Sequence, residues 1–266
     1  MADLIDHPPV VIGGVGGSGT RVIAQMLIAL GVFMGDRLNE SNDNLRYGSY
    51  SGRILARLKA AAAGCSARMP AAHSDYAFDF DAATLGFVEA QVRSFVTEMH
   101  VAWRTQATPH AEWGWKVPGM FHLLGPLSTV LGRFKYVHVI RNGLDMAFSA
   151  NQNQVLNWGW RFNVSAMGSS DPGKSLRYWA RANRQAVIDA DRYKVDLFVL
   201  NYDLFCAAPR AGIGRLIDFL GFDSSVDQSL IELVRPPASI GRSAKRDLSF
   251  VTDEDRAALR EFGFAP

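Results

Sequence analysis

Cysteine is almost missing from this chain: 266 residues contain only Cys65 and Cys206, in unrelated contexts. Neither a disulfide framework nor a CxxC pair can be built from them, which favours a reducing compartment. Long apolar runs are missing too, and no stretch approaches the ~20 residues of a membrane span. The opening MADLIDHPPVVIGG has no basic region and no long apolar core, so it does not read as a signal peptide. A cytoplasmic location is the expectation. No charge of one sign predominates, with 28 Lys and Arg against 26 Asp and Glu and a net charge of +2. Without a basic run or stripe, a nucleic-acid partner is not expected. No H-x-x-x-H motif or carboxylate cluster has metal-ligand spacing, so no metal is expected. Repeats, low-complexity tracts and linkers are absent, and we read residues 1–266 as a single domain.

What is present alternates between strand-like and helix-like segments. Val10-Val11-Ile12 is a β-branched run ending in glycines, as a buried parallel strand would be. After GGVGGSGT, the segment RVIAQMLIAL carries apolar residues at helical spacing and stops at Gly31. Further helices are predicted over RILARLKAAAAG, from Ala82 onward, from Met120 to Leu131, from Lys174 to Tyr193 and from Arg210 to Leu220. In the Lys174 helix the spacing buries Leu176, Trp179, Ala180, Ala186 and Val187. Strands are predicted at residues 113–116, at FKYVHVI (134–140) and at Asp196–Leu200. The alternation implies an α/β fold of three layers, a central parallel sheet with helices on both faces.

Gly13 to Arg21 is the strongest local signal, and three readings fit it. Gly14, Gly16 and Gly19 match the dinucleotide fingerprint G-x-G-x-x-G, and Gly14 to Gly19 match the front of a Walker A loop. Thr20-Arg21, however, stands where Walker A requires Lys-Ser/Thr. The third reading is a 5′-phosphosulfate loop with its Ser-Gly-Thr core. All three place backbone N–H groups around an anion at a helix N-terminus. A second motif separates them. In VHVIRNGLDMAFSANQ, Arg141 ends a strand, and Ser149 follows inside the next helix. An arginine there points into the crevice where open α/β sheets bind ligands, and its planar fork suits a phosphate.

GGSGT after the first strand, joined to a strand ending in Arg141 with Ser149 beyond it, resembles the sulfotransferase superfamily that uses 3′-phosphoadenosine 5′-phosphosulfate (PAPS). The bacterial and tyrosylprotein branches are the most similar. Trp115-Lys116-Val117-Pro118 resembles their Lys-x-Pro step. Asn201-Tyr202-Asp203-Leu204 resembles the family's Tyr-Glu-Asp-Leu segment, and Ser239-Ile240-Gly241-Arg242 its late basic loop. The resemblance spans residues 9 to 245 and implies a P-loop-like nucleotide-binding fold. It also implies transfer of a sulfuryl group from PAPS to a hydroxyl-bearing acceptor, leaving adenosine 3′,5′-bisphosphate. Gly16, Gly17, Ser18, Gly19, Thr20 and Arg21 would then hold the 5′-phosphate, and Arg141 and Ser149 the 3′-phosphate. Tyr202, Gly241 and Arg242 would complete the nucleotide site.

Two departures matter. Gly17 stands where many members carry a cation before Ser-Gly-Thr, and Arg141-Asn142-Gly143-Leu144 replaces the usual Arg-Asp-Gly-Arg. Arg21 or Lys116 is the expected substitute for the missing charge, with Lys116 preferred for the sulfate oxygens. In the tyrosylprotein branch the general base is a glutamate shortly after the first helix. The matching stretch GDRLNESND offers Glu40, then Asp43, then Asp36, while His73, His100 and His110 are alternatives. Trp158 and Trp160 read equally as acceptor pocket or core. Arg177, Arg181 and Arg184 read as a solvated helix face. A Rossmann oxidoreductase, with Asp36 as its ribose acid, is the competing enzyme class, but it leaves Arg141 and Ser149 unexplained. A nucleotide-binding module without turnover is the third class. The acceptor-determining regions are expected at residues 36–112 and 153–173.

Overall fold

A computed structural model describes residues 7–64, 80–164 and 171–266. Cys65 and His73 lie outside the described residues. Strand β1 (Val10–Gly14) passes through the glycine loop into helix α1 (Thr20–Ala29). Helices α2 (Gly48–Gly64) and α3 (Ala82–Arg104) precede β2 (Gly114–Lys116), and α4 (Leu124–Leu131) precedes β3 (Lys135–Ile140). Next come α5 (Gly143–Ala147), α6 (Asn153–Trp158), α7 (Pro172–Arg192) and β4 (Asp196–Asn201). The chain continues through α8 (Tyr202–Ala207), α9 (Pro209–Leu220), α10 (Gln228–Leu233) and α11 (Asp253–Glu261). Local chemistry sets several ends. Asp81 and Asp171 cap α3 and α7 by accepting backbone N–H bonds, and Gly221 closes α9 in the left-handed conformation.

The four strands are parallel in the order β2-β1-β3-β4. Val10 pairs with Gly114 on one side and Lys135 on the other, so β1 is central. Strand alternation sends Val10, Ile12, Val137, Val139 and Leu200 to one face, where they pack with α1, α8, α9 and α10. Val11, Trp115, Tyr136 and Ile140 face the other way, onto α2, α3, α4 and α7. The three-layer α/β arrangement read from the sequence is therefore present, with one apolar core on each face of the sheet. From central β1, the chain crosses first to β2 and then back past β1 to β3. The resulting reversal between β1 and β3 opens a crevice at the carboxyl ends of the strands.

Three local expectations are corrected. Ser149 lies beyond α5 rather than inside a helix. The helix ends at Ala147, and the Ser149 hydroxyl accepts the Asn151 N–H at 3.2 Å in a turn that competes with further helix. The segment from Met120 is not one α-helix, because Pro118–Leu123 winds as a 3-10 turn before α4 begins. Val187 is 36% exposed. The sheet ends at β4, so this part of α7 overhangs its edge, and Val187 lines an open groove with Ala190, Leu197 and Phe219.

Candidate functional site

The glycine loop leaves β1 and delivers its backbone to the N-terminus of α1, which has no side-chain cap. The N–H groups of Thr20 and Arg21 are therefore available for an anion, while the Val22 N–H already reaches the Gly19 carbonyl at 3.1 Å. Gly19 cannot be another residue: φ is +101°, and a Cβ would overlap the Tyr202 ring. Tyr202, at the end of β4, is buried, and burial pushes its phenol pKa up, keeping it neutral. The Ser18 side chain is 1% exposed, and its Oγ has no hydrogen-bond partner among the described residues. At Gly17, the nearest atoms to a Cβ would be Met146 Cε and Sδ, at 3.6 and 3.8 Å. Gly16 is half-buried beneath Gln154, whose Nε2 donates to the Gly14 carbonyl at 3.3 Å.

Arg141 follows the last residue of β3 and is 7% exposed. Its Nη2 donates to Ser239 Oγ at 2.9 Å, and its Nε is buried without a partner. A buried donor without a partner costs about 1–3 kcal/mol. An anion in the crevice would remove that cost. The Asp203 carboxylate accepts the Asn142 N–H at 3.0 Å; burial raises its pKa, while Arg141 pulls the other way. Arg242 Nη1 donates to the Phe148 carbonyl at 3.2 Å, which brings the Gly241–Arg242 segment next to Ser149.

On the other flank of the loop, Lys116 closes β2 and is 2% exposed. Its Nζ donates to Asp43 Oδ1 at 2.5 Å and to the Ser41 carbonyl at 2.8 Å. Burial lowers its pKa, Asp43 opposes the shift, and Arg21 adds to it. Exposed Arg21 donates to Ser41 Oγ at 2.8 Å, so both candidate cations share one loop as their anchor. Asp43 also accepts from Asn39 Nδ2 at 3.0 Å. Glu40 is exposed on the same loop. Asp36 is engaged elsewhere: Arg46 binds both its oxygens, at 2.8 and 2.6 Å, and holds its carboxyl below the usual range.

The structure thus gathers the glycine loop, Arg21, Lys116 and Asp43 on one side, and Arg141, Ser149, Tyr202, Gly241 and Arg242 on the other. Asp36 is not brought to the Lys116 cluster. His100 packs against Trp103 and Trp113, and His110 bonds the Gly31 carbonyl at 2.8 Å. Trp158 and Trp160 are half-buried on the core, with Trp158 stacked on His122. Arg181 donates to the Phe162 carbonyl and Arg184 pairs with Glu261, so that helix face is bonded rather than merely solvated.

Sequence reasoning missed Ser41, Asp145 and Gln154 as site-building residues, and placed Ser239 in the late basic loop without its bond to Arg141. Asp145 reads in sequence as an ordinary acid in a helix's first turn. Ser41 and Gln154 read as loop polar residues. Among the described residues no group of three or more His, Cys, Asp or Glu could hold a metal, and no helix is long and apolar enough to cross a membrane.

Residues 8–226 match a family model described as "Sulfotransferase family". No curated protein sequence matches the chain. The sulfotransferase domain of the Synechococcus PCC 7002 olefin synthase is similar in fold, with a TM-score of 0.58 at 15% identity, over 98% of this chain and 96% of that one. A sulfotransferase domain from the curacin biosynthetic pathway gives 0.57 at 9% identity, over 97% and 99%. A Mycobacterium tuberculosis H37Rv sulfotransferase gives 0.50 at 11% identity, over 98% of this chain and 79% of that one.

Proposed function

The chain belongs to the sulfotransferase family, and from that premise we propose that it moves a sulfuryl group from PAPS to an acceptor hydroxyl. The observation that carries the donor assignment is a pair of unsatisfied buried donors, Ser18 Oγ and Arg141 Nε. They belong to the segments at the carboxyl ends of β1 and β3, which flank the crevice. A nucleotide with phosphates at both 5′ and 3′ positions would meet both. Neither a dinucleotide site nor a Walker A loop accounts for Arg141.

In this reading the acceptor oxygen attacks sulfur as the sulfur–oxygen bond to the 5′-phosphate breaks. The bridging oxygen leaves with the bisphosphate, and the hydroxyl proton passes to a base. Rate then depends on positioning and on stabilising charge as it develops on the leaving oxygen. The N–H groups of Gly17, Gly19, Thr20 and Arg21 serve the phosphate, the Ser18 N–H being bonded to the Val15 carbonyl at 3.0 Å. Lys116 serves the sulfate oxygens, with Asp43 and the Ser41 carbonyl fixing its ammonium. Arg21 adds charge where Gly17 supplies none. Asp43 is the acid in contact with Lys116 and is our first choice of base, with Glu40 second. Asp36 is bound by Arg46, outside the Lys116 cluster, and is the least suited of the three.

Thermal shift with adenosine 3′,5′-bisphosphate, NAD and ATP tests the donor site. The bisphosphate should raise Tm most, by several degrees at ~100 times its Kd. A larger shift with NAD would transfer the assignment to the oxidoreductase class. Turnover of labelled PAPS across a panel of hydroxyl acceptors separates an enzyme from a binding module, and Asp43→Asn should abolish most of that turnover.

A further inference from the structure

Asp145 is a buried carboxylate, 2% exposed, yet no cation pairs with it among the described residues. Its partners all come from a single distant segment. Gly241 N–H donates to Oδ2 at 2.6 Å, and both the N–H and the hydroxyl of Ser243 donate to Oδ1 at 2.8 Å. An ionised carboxylate only accepts, so every bond in this set is charge-assisted, and such bonds are the stronger kind. The geometry depends on Gly241, whose φ of +78° turns the local N–H groups inward into a concave nest. No atom lies within 4 Å of a Cβ at Gly241, so backbone conformation rather than space is what requires glycine there.

Around this junction the same segment is tied down three more times. Ser239 receives the Arg141 guanidinium, and Arg242 reaches the Phe148 carbonyl. The Arg246 guanidinium lies 5.5 Å from the centre of the Phe148 ring. In sequence, Asp145 sits midway between Arg141 and Ser149, on the five-residue helix that joins them. We propose that Asp145 is the clasp that holds residues 239–246 against the 3′-phosphate half of the crevice. It is a positioning residue: it does not touch the nucleotide, but sets where Ser239, Gly241 and Arg242 meet it. This inference rests on the donor site proposed above. It adds that the affinity of that site is fixed by a carboxylate that would otherwise repel a phosphate.

The test uses the full chain and two variants, with two readouts. Asp145→Asn should weaken adenosine 3′,5′-bisphosphate binding at least about tenfold, as expected for loss of charge-assisted bonds. AMP, which lacks the 3′-phosphate, should change by less than about threefold. Ser243→Ala removes one donor and keeps both backbone bonds, so it should fold and lose about threefold for the bisphosphate. Hydrogen exchange in ligand-free protein should speed up at Gly241 and Ser243 in Asp145→Asn, with α7 unaffected. Equal losses for both nucleotides, or unchanged exchange at residues 241–243, would overturn the clasp. If wild-type protein binds no bisphosphate, the donor assignment fails instead, and the exchange readout still decides whether Asp145 holds the segment.

Discussion

On the side of the crevice proposed to bind the nucleotide, Arg141 and Tyr202 emerge directly from strand ends, and residues 239–246 are bonded to the short helix after β3. On the opposite side, Ser41 and Asp43 belong to an irregular loop. That loop is braced by Asn39, whose Oδ1 accepts from both the Ser41 and Asp43 N–H groups, and by the Asn44 N–H bond to the Lys116 carbonyl. The first side is rigid because the sheet makes it so. The second holds its cation through one carboxylate and one carbonyl of that loop, so it can be rebuilt with little change to the sheet. The proposed donor site thus stands on scaffold and the proposed acceptor site on loops, the division expected where one co-substrate is fixed and the other varies.

That division breaks most visibly at Lys116, the strand-borne residue held by the loop. Lys116→Ala should lower kcat at least ~100-fold, as loss of one preorganised transition-state contact does. Bisphosphate affinity should stay within about threefold, because the contact matters as charge develops. A parallel loss of nucleotide affinity would place Lys116 on the donor side and erase the contrast.

Arg141→Ala should act in the opposite sense. Bisphosphate binding should weaken by about 1.5–3 kcal/mol, the range for hydrogen bonds to charged groups, and AMP binding should hardly change. Isothermal titration with the two nucleotides reads this directly. Equal losses would make Arg141 a structural residue tied to Ser239.

The smallest effect is expected at the outer end of the loop. The Asp36–Arg46 pair is partly exposed, with side-chain accessibilities of 33% and 24%. Exposed pairs contribute at most about 1 kcal/mol. Asp36→Asn should therefore lower stability by no more than that in urea melts and leave kcat within about twofold. A collapse of kcat would return Asp36 to the list of candidate bases.

The elements that build the proposed nucleotide side were legible in the sequence because their signals are local. A β-branched strand, a glycine loop and an arginine at a strand end each follow from neighbouring residues. On the other side Lys116, Glu40 and Asp43 were singled out through the resemblance, but the contacts that join Lys116 to the loop were not, because they are long-range. Nothing near Lys116 in sequence announces Ser41 and Asp43, which arrive from more than seventy residues away. Asp145 was hidden for the same reason, its partners lying 96 and 98 residues downstream. The helix through Ser149 was overextended because its apolar spacing continues, while the Ser149–Asn151 turn that stops it depends on side-chain hydrogen bonding. Val187 misled because helical periodicity cannot say where the sheet ends.

The position of β1 bears on how the molecule comes into being. The strand that carries the glycine loop lies far from both its neighbours along the chain, since Val10 pairs with Gly114 and Lys135. A strand of this kind cannot be stabilised until those distant partners are in place, and such non-local parallel pairings form slowly. Until then five buried, largely apolar residues have no lattice to join. The anion cradle is consequently a late product of folding, assembled only when the centre of the sheet closes.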